Sequence, residues 1–454
     1  MVTRAIVLAA PASGSGKTTI ATGLMGALRE AGHRVAPFKV GPDYIDPGYH
    51  TLAAGRPGRN LDPVLIGEDR ILPLFAHGAR GTDIAIVEGV MGLFDGRIDS
   101  SDSEPAAFGS AAHVARLLGA PVVMVIDARG HSQSLAAVLH GFVSFDSRIR
   151  IAGVILNQVG SPRHEQVLRQ ACSRIGLPVL GALPRISELH VPSRHLGLIP
   201  AAEHGAEAMA AVHAMVAIAR KHLDLAAIVR IAQEVPDDST GIPALTAENP
   251  ARSRIAVAGG RAFTFGYAEH REILEANGAE VVTFDPLADS LPEGTQGIVL
   301  PGGFPEQHAA DLAQNTPLLT QIRDAAASGM PVHAECAGLL YLCQTLDGVP
   351  MAGVLEADAT FSPRLTLGYR DAVAVSDSPL WPAGSRVAGH EFHRSTVTPV
   401  AGATAAWGWR TDNGSAVEGF VHGNVHASFL HTHPMGNPEG VRRFAESASR
   451  YPNR

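Results

Sequence analysis

Short apolar runs recur through the first half of the chain at 5–10, 35–40, 84–88, 122–126, 151–156 and 179–183, separated by longer stretches of helical character. The runs are short and β-rich, and their alternation with helices is the rhythm of a parallel α/β sheet covered on both faces. An Ala-rich helical stretch follows near 201–232. Residues 233–253 (QEVPDDSTGIPALTAENPARS) then concentrate Pro, Asp, Ser, Thr and Gly and read as a linker. A second α/β series begins at 255–258 and continues at 281–284, 297–300, 331–334, 417–421 and 425–430. The expected organisation is a domain at 1–232, a linker at 233–253 and a second domain at 254–445, with no internal repeat.

Composition narrows the class. A chain of 454 residues suits two domains, and 46% hydrophobic with 18% charged residues at a net charge of −8 suits a soluble enzyme with no nucleic-acid partner. The first residues read as a strand rather than a leader. With no run of about 18 apolar residues, the expectation is a cytoplasmic protein without a membrane partner. Cys172, Cys336 and Cys343 are too few and too irregularly spaced for a disulfide framework or a zinc site, which fits a reducing compartment.

The loop Ser13-Gly14-Ser15-Gly16-Lys17-Thr18-Thr19 follows the first apolar run and precedes a helix. Glycines there let backbone N–H groups crowd around phosphate oxygens while the helix N-terminus faces the same anion, so Gly14, Ser15, Gly16, Lys17, Thr18 and Thr19 are expected to bind a nucleotide. Lys17 would reach the outer phosphates and Thr18 would hold Mg²⁺. Pro11 stands where such loops usually carry their first glycine. Glu88 closes the run 84–88 and leads into GVMGLFDG, which puts a carboxylate at the carboxyl edge of the sheet, where it would serve Mg²⁺. Asp43 and Asp46 lie three apart in KVGPDYIDPGYH and are candidates to hold metal or orient a substrate. Turn chemistry alone also favours Asp, Pro and Gly in such a loop.

In the second half, PVHAECAGLLY delivers Cys336 from a strand to a sharp turn and a helix, the setting of an exposed nucleophile whose thiolate a helix N-terminus stabilises. Upstream, LPGGFPE offers Gly302 and Gly303 as an oxyanion hole, and SFLHTHP near the end offers His431 or His433 as the base. Cys172 and Cys343 read as packing residues. His390, His393, His422 and His426 lack the spacing of a zinc motif.

Taken together, APASGSGKTT, KVGPDYIDPGYH, VEGVMGLFDG, LPGGFPE, the Cys336 elbow, GHEFH at 389–393 and SFLHTH resemble, over nearly the whole chain, the cobyrinic acid a,c-diamide synthases, called hydrogenobyrinic acid a,c-diamide synthases in the aerobic vitamin B12 route. The resemblance implies a dethiobiotin-synthetase-like ATP-binding domain followed by a flavodoxin-like class I glutamine amidotransferase domain. It implies that Asn157 reads adenine, that Asp43, Asp46, Glu88 and Asp95 serve Mg-ATP and carboxylate activation, and that Tyr44 and Asp95 lie on the substrate side. One departure stands out. Class I amidotransferases with a full triad carry Glu two residues after the catalytic His, where this chain has His433 or Met435, so a Cys–His dyad is expected.

The implied chemistry is phosphorylation of a corrinoid carboxylate by ATP with Mg²⁺, then displacement of phosphate by ammonia that Cys336 releases from glutamine. A net charge of −8 offers a polyanionic substrate no global attraction, so Lys39, Arg56 and Arg59 are expected to bind its carboxylates. The other readings are cobyric acid synthase, a nickel-sirohydrochlorin diamide synthase and, remotely, a partition-type ATPase; a homodimer is left open.

Overall fold

The computed structural model describes residues 3–98, 106–185, 193–194, 197–198, 203, 205–236, 252–411 and 414–452. Contacts divide the chain into two units, Met1–Ile242 and Pro243–Arg454.

The first unit is built on a parallel sheet of β1 (Arg4–Ala9), β2 (Val35–Val40), β3 (Arg59–Leu61), β4 (Ile84–Glu88), β5 (Val122–Asp127), β6 (Ile151–Val159) and β7 (Val179–Pro184). Their spatial order is β3-β2-β4-β1-β5-β6-β7. Residues Ala5 to Ala9 are at most 1% exposed, which explains why this run is apolar throughout: helices cover both faces of the strand. Leu8 of β1 and Lys39 of β2 both sit opposite Glu88 of β4. This register brings the ends of three central strands level. The phosphate loop, Lys39 and Glu88 therefore share the carboxyl edge of the sheet, from which α1 (Lys17–Glu30) and α2 (Asp46–Ala54) begin.

Both ends of the expected linker take part in strands. Gln233–Glu234 pairs antiparallel with β1, Ala5 facing Gln233, and Ser253 already opens the next unit's first strand. Residues 237–251 lie outside the described residues. The Ala-rich stretch forms the helices Gly205–His222 and Leu225–Ile231.

In the second unit the main sheet runs Ala279–Phe284, Ser253–Ala258, Gly297–Leu300, Val332–Glu335, Val425–Ser428 and Phe420–His422, with only the last pairing antiparallel. Its core is filled by buried side chains such as Ile298, Leu300, Val332, Leu339 and Phe284.

A second, mostly antiparallel sheet was not anticipated. It is built on a long hairpin, Asp358–Ala374 against Arg386–Thr398. Residues 360–371 are partly exposed on both faces and the register breaks between Phe361 and Thr366, around Pro363, so neither a continuous nor an alternating apolar pattern is written there. The expected strand 425–430 ends earlier, at Ser428, and a separate short strand follows it. Val425–Ser428 stays in the parallel sheet, whereas His431–Thr432 crosses to the hairpin, pairing Gly389 with Thr432 and His390 with His431.

Candidate functional site

The phosphate loop turns into α1 at Gly16, whose φ of 86° is left-handed. A Cβ there would also lie 2.4 Å from Asn157 Nδ2, so both backbone and space require glycine. Asn157 Nδ2 donates to the Ser15 carbonyl at 3.0 Å and its Oδ1 accepts from Gln158 N at 3.0 Å. The expected adenine reader thus braces the loop. Ser15 Oγ donates to Ala12 O at 2.9 Å, while Gly14, with φ 77°, forms the exposed tip. Lys17 is buried and donates from Nζ to the carbonyls of Met91 (2.6 Å) and Ala12 (3.3 Å). Burial and the neighbouring Lys39 lower its pKa to about 8. Thr18 and Thr19 are half-buried in the first turn of α1.

Thr18 Oγ1 donates to Glu88 Oε1 at 2.8 Å and lies 3.1 Å from Asp46 Oδ2. The Lys39 ammonium sits between the same carboxylates, 2.5 Å from Asp46 and 2.9 Å from Glu88. His50 Nε2 lies 2.7 Å from the other Glu88 oxygen, and both side chains are fully buried. Burial opposes both charges, yet Asp46 and Glu88 raise the Lys39 pKa, while Lys39 and His50 hold Glu88 far below the usual carboxylate range. Asp46 is pushed upward by burial and by Asp43, with Lys39 opposing. The cluster is a pre-organised set of hard oxygens around a cation, chemistry suited to a divalent ion bound beside phosphate.

Three expectations change here. Asp46, not Asp43, stands against Thr18 and Glu88: Asp43 Oδ1 accepts from the Ile45 and Asp46 N–H groups at 2.8 and 3.0 Å, and its Oδ2 is 3.9 Å from Lys39. Lys39 and Arg59 are buried rather than presented to a substrate. Arg56 donates to the carbonyls of Gly78 and Arg80. Tyr44 is half-buried beside Asp43, and the exposed Asp95 accepts from Gly92 N at 2.9 Å and is among the charges acting on Lys17.

A test separates the two aspartates. Asp46→Asn is expected to cut amidation from ammonium by at least about 100-fold, because it removes a charge from the cluster at the phosphate end. Asp43→Asn keeps an oxygen for the two N–H groups, so its melting temperature should stay near wild type and its loss should be at least about tenfold smaller. Equal losses would show that Asp43 contributes its charge as directly as Asp46.

In the second unit, Cys336 links the strand Val332–Glu335 to the helix Ala337–Leu342 with φ 49° and ψ −97°, a strained elbow whose N–H donates to Ser428 O at 2.8 Å. The thiol is 3% exposed, contrary to expectation. Burial and Glu306 raise its pKa, while the N–H groups of Ala337 and Gly303 pull the other way. The helix has only six residues, too short for its dipole to outweigh desolvation. A buried thiol of this kind needs a base.

His431 is the better placed of the two histidines. Gly302 packs so closely on it that a Cβ would lie 2.5 Å from His431 Cε1, and the next residue, Gly303, directs its N–H at the thiol. His433 instead packs at a tilt against Tyr267, ring centroids 4.1 Å apart, and accepts from Met435 N through Nδ1 at 3.2 Å. The N–H pair facing sulfur is therefore Gly303 with Ala337 rather than Gly302 with Gly303. Gly303 has to be glycine, since a Cβ would lie 2.2 Å from Ala262 O.

Sequence reasoning missed Glu335. Its Oε2 lies 3.6 Å from His431 Nδ1, and its Oε1 accepts from Thr432 N and Oγ1 at 3.2 and 3.0 Å. The signal was its position next to Cys336, overlooked because a carboxylate was sought only after the histidine. His390 stacks on His431 at 5.1 Å and His393 on Phe429 at 3.8 Å, whereas His426 packs against Trp381 and Trp407, and His422 is exposed. Cys172 and Cys343 are buried.

Comparison with known proteins places these geometries in context. Residues 6–199 match the family described as the CobQ/CobB/MinD/ParA nucleotide binding domain, and residues 254–438 match the CobB/CobQ-like glutamine amidotransferase domain. The chain is 60% identical to the hydrogenobyrinate a,c-diamide synthase of Mycobacterium tuberculosis H37Rv, over 98% of both chains. It is 54% identical to the Streptomyces coelicolor protein of that name over 97% of this chain and 96% of the other. It is 43% identical to the cobyrinate a,c-diamide synthase of Gloeobacter violaceus over 97% and 96%. Among the described residues, no helix is long and apolar enough to cross a membrane.

Proposed function

The chain belongs to the hydrogenobyrinate and cobyrinate a,c-diamide synthase family, and from that membership we propose that it converts the a and c carboxylates of hydrogenobyrinate into amides, using ATP and glutamine. The observation that carries this reading is the presence, in one chain, of a phosphate loop with a buried Lys39–Asp46–Glu88 cluster and of a Cys336 elbow with His431 beside its glycine loop. Each half supplies what the other reaction lacks. The cobalt-free substrate is favoured by the 60% and 54% identities to hydrogenobyrinate enzymes, against 43% to a cobyrinate enzyme.

A carboxylate resists attack by ammonia, so it first takes the γ-phosphoryl group of ATP, giving an acyl phosphate and ADP. Lys17, at the start of α1, neutralises charge on the transferred group, and the α1 N–H groups hold the phosphates. Thr18, Asp46 and Glu88 would hold Mg²⁺, which supplies further charge neutralisation there. Lys39 and His50 keep Glu88 ionised and oriented. In the other unit His431 takes the Cys336 proton, sulfur attacks the glutamine side-chain carbonyl, and the Gly303 and Ala337 N–H groups receive the developing oxyanion. Collapse releases ammonia and leaves a thioester, which water hydrolyses to glutamate. Ammonia then displaces phosphate from the acyl phosphate, one ATP and one glutamine being consumed per amide.

Mass spectrometry of products formed from hydrogenobyrinate, cobyrinate and sirohydrochlorin with Mg-ATP and glutamine tests the assignment. A diamide formed fastest from hydrogenobyrinate is expected. Turnover confined to sirohydrochlorin, or ATP hydrolysis without any amide, would replace the substrate or the reaction.

A further inference from the structure

A carboxylate, Glu335, stands immediately before the nucleophile in a chain that has none two residues after His431. The strand Val332–Glu335 ends one residue before the elbow, so Glu335 and Cys336 are carried by the same rigid element. Pairing of that strand with Val425–Ser428 sets Glu335 opposite Ser428, and three residues later the chain reaches His431, followed by Thr432. Thr432 donates twice to Glu335 Oε1, from N at 3.2 Å and from Oγ1 at 3.0 Å, and His333 Nε2 lies 3.4 Å from the same oxygen. That oxygen is committed as an acceptor. The other, Oε2, faces His431 Nδ1 at 3.6 Å, a separation of the kind that tightens when a substrate closes the site.

We infer that Glu335 is the positioning residue of the glutaminase centre: it accepts the proton of His431 Nδ1, which leaves the Nε2 lone pair free to take the Cys336 proton. The inference rests on the reading of Cys336 and His431 as nucleophile and base. The surroundings suit the role. Burial pushes the Glu335 carboxyl upward, but His333 and His431 hold it well below the usual carboxylate range, so it stays ionised. Behind it, burial lowers His270 to about 4 and His426 to about 3, so neither brings a competing positive charge. On the other side His390, held neutral by burial, stacks flat on His431 at 5.1 Å and limits rotation of its ring, while His433 packs on Tyr267. Glu306 faces the thiol from the Pro305–Gln307 turn and opposes its ionisation, which increases the need for a correctly oriented base.

The Thr432 contacts make the test discriminating. In Glu335→Gln the amide oxygen stays with the two Thr432 donors and the amide NH₂ turns toward Nδ1. That donor selects the tautomer protonated on Nε2, which cannot accept the thiol proton. In Glu335→Ala no donor is introduced and His431 keeps access to either tautomer. Glutaminase kcat is therefore expected to fall by about 100-fold or more in Glu335→Gln, with KM for glutamine within about threefold of wild type and no better turnover than Glu335→Ala, because a base fixed in the wrong tautomer loses the transition-state interaction rather than binding. ¹⁵N shifts of the His431 ring should report the Nδ1-protonated form in the wild type and the Nε2-protonated form in Glu335→Gln.

A purely packing role predicts the opposite order, with the near-isosteric glutamine close to wild type and alanine impaired. That order would overturn the inference, as would unchanged His431 ring shifts or a parallel fall in ammonium-dependent amidation. Cys336→Ser and His431→Ala are measured alongside. If either of those keeps glutaminase activity, the nucleophile–base reading itself fails; if both lose it while Glu335→Gln keeps it, only the role of Glu335 does.

Discussion

Cys336→Ser is expected to lose glutamine-dependent amidation by at least about 10³-fold while amidation from high ammonium stays within about twofold of wild type, since removing a nucleophile abolishes one half-reaction and leaves the other its parts. The hydroxyl is smaller than the thiol and far less acidic, and it would occupy a buried elbow where burial and Glu306 already raise the thiol pKa. His431 could not deprotonate it to a useful extent. The backbone of the elbow is held by Cys336 N donating to Ser428 O and by the helix Ala337–Leu342, neither of which needs sulfur. Steady-state assays with the two nitrogen sources decide the matter, with circular dichroism as a check of folding. Equal losses from a folded variant would remove Cys336 from the glutaminase role.

The complementary result is expected from the first unit. Lys17→Ala should lose amidation with either nitrogen source by about 10³-fold or more, because an oriented charge at a transferring phosphoryl group contributes several kcal/mol and each 1.36 kcal/mol is tenfold in rate. Glutaminase activity should survive at least in part, since Cys336 and His431 belong to the other unit. Among the described residues Lys17 donates to the carbonyls of Met91 and Ala12, neutral partners, so its removal should cost little stability. Glu88→Gln should show the same kinetic pattern with a lower melting temperature as well. Its carboxylate bridges Lys39 and His50 in a fully buried setting, and weakening one partner of a buried charge cluster commonly costs a few kcal/mol. Normal turnover with ammonium by a folded Lys17→Ala would sink the phosphate-site assignment.

The chemistry-bearing loops were legible for a common physical reason: each sits where an apolar strand stops. Gly14–Thr19, Glu88 and Gly302–Gly303 follow uninterrupted apolar runs and Cys336 follows the short buried strand Val332–Glu335, and the carboxyl edge of a parallel sheet is where such stops converge. Their partners were much less legible. Lys39 looked like a surface cation for a polyanionic substrate until the register of β2 on β4 placed it opposite Glu88. Asn157, expected as a base reader, also holds the loop through its amide on the Ser15 carbonyl. Such contacts are hidden from a reading of side chains by type, because their environment is assembled by strands distant in sequence.

Periodicity and punctuation by themselves determined that this chain forms two α/β series, where most of the parallel strands run, and which loops are candidates for phosphate and thiol chemistry, because strand burial and turn stereochemistry are local properties. Only the tertiary structure decided the rest. It chose Asp46 over Asp43 for the charge cluster, since the Asp43 carboxylate is drawn to the N–H groups of its own turn. It buried the Cys336 thiol, because the six-residue helix beyond the elbow lies deep in the core. It built a sheet on the 358–398 hairpin, whose partly exposed faces write no hydrophobic period, and it set Glu335 against His431 across 96 positions of sequence, a pairing fixed by hydrogen bonds between strands that no local pattern encodes.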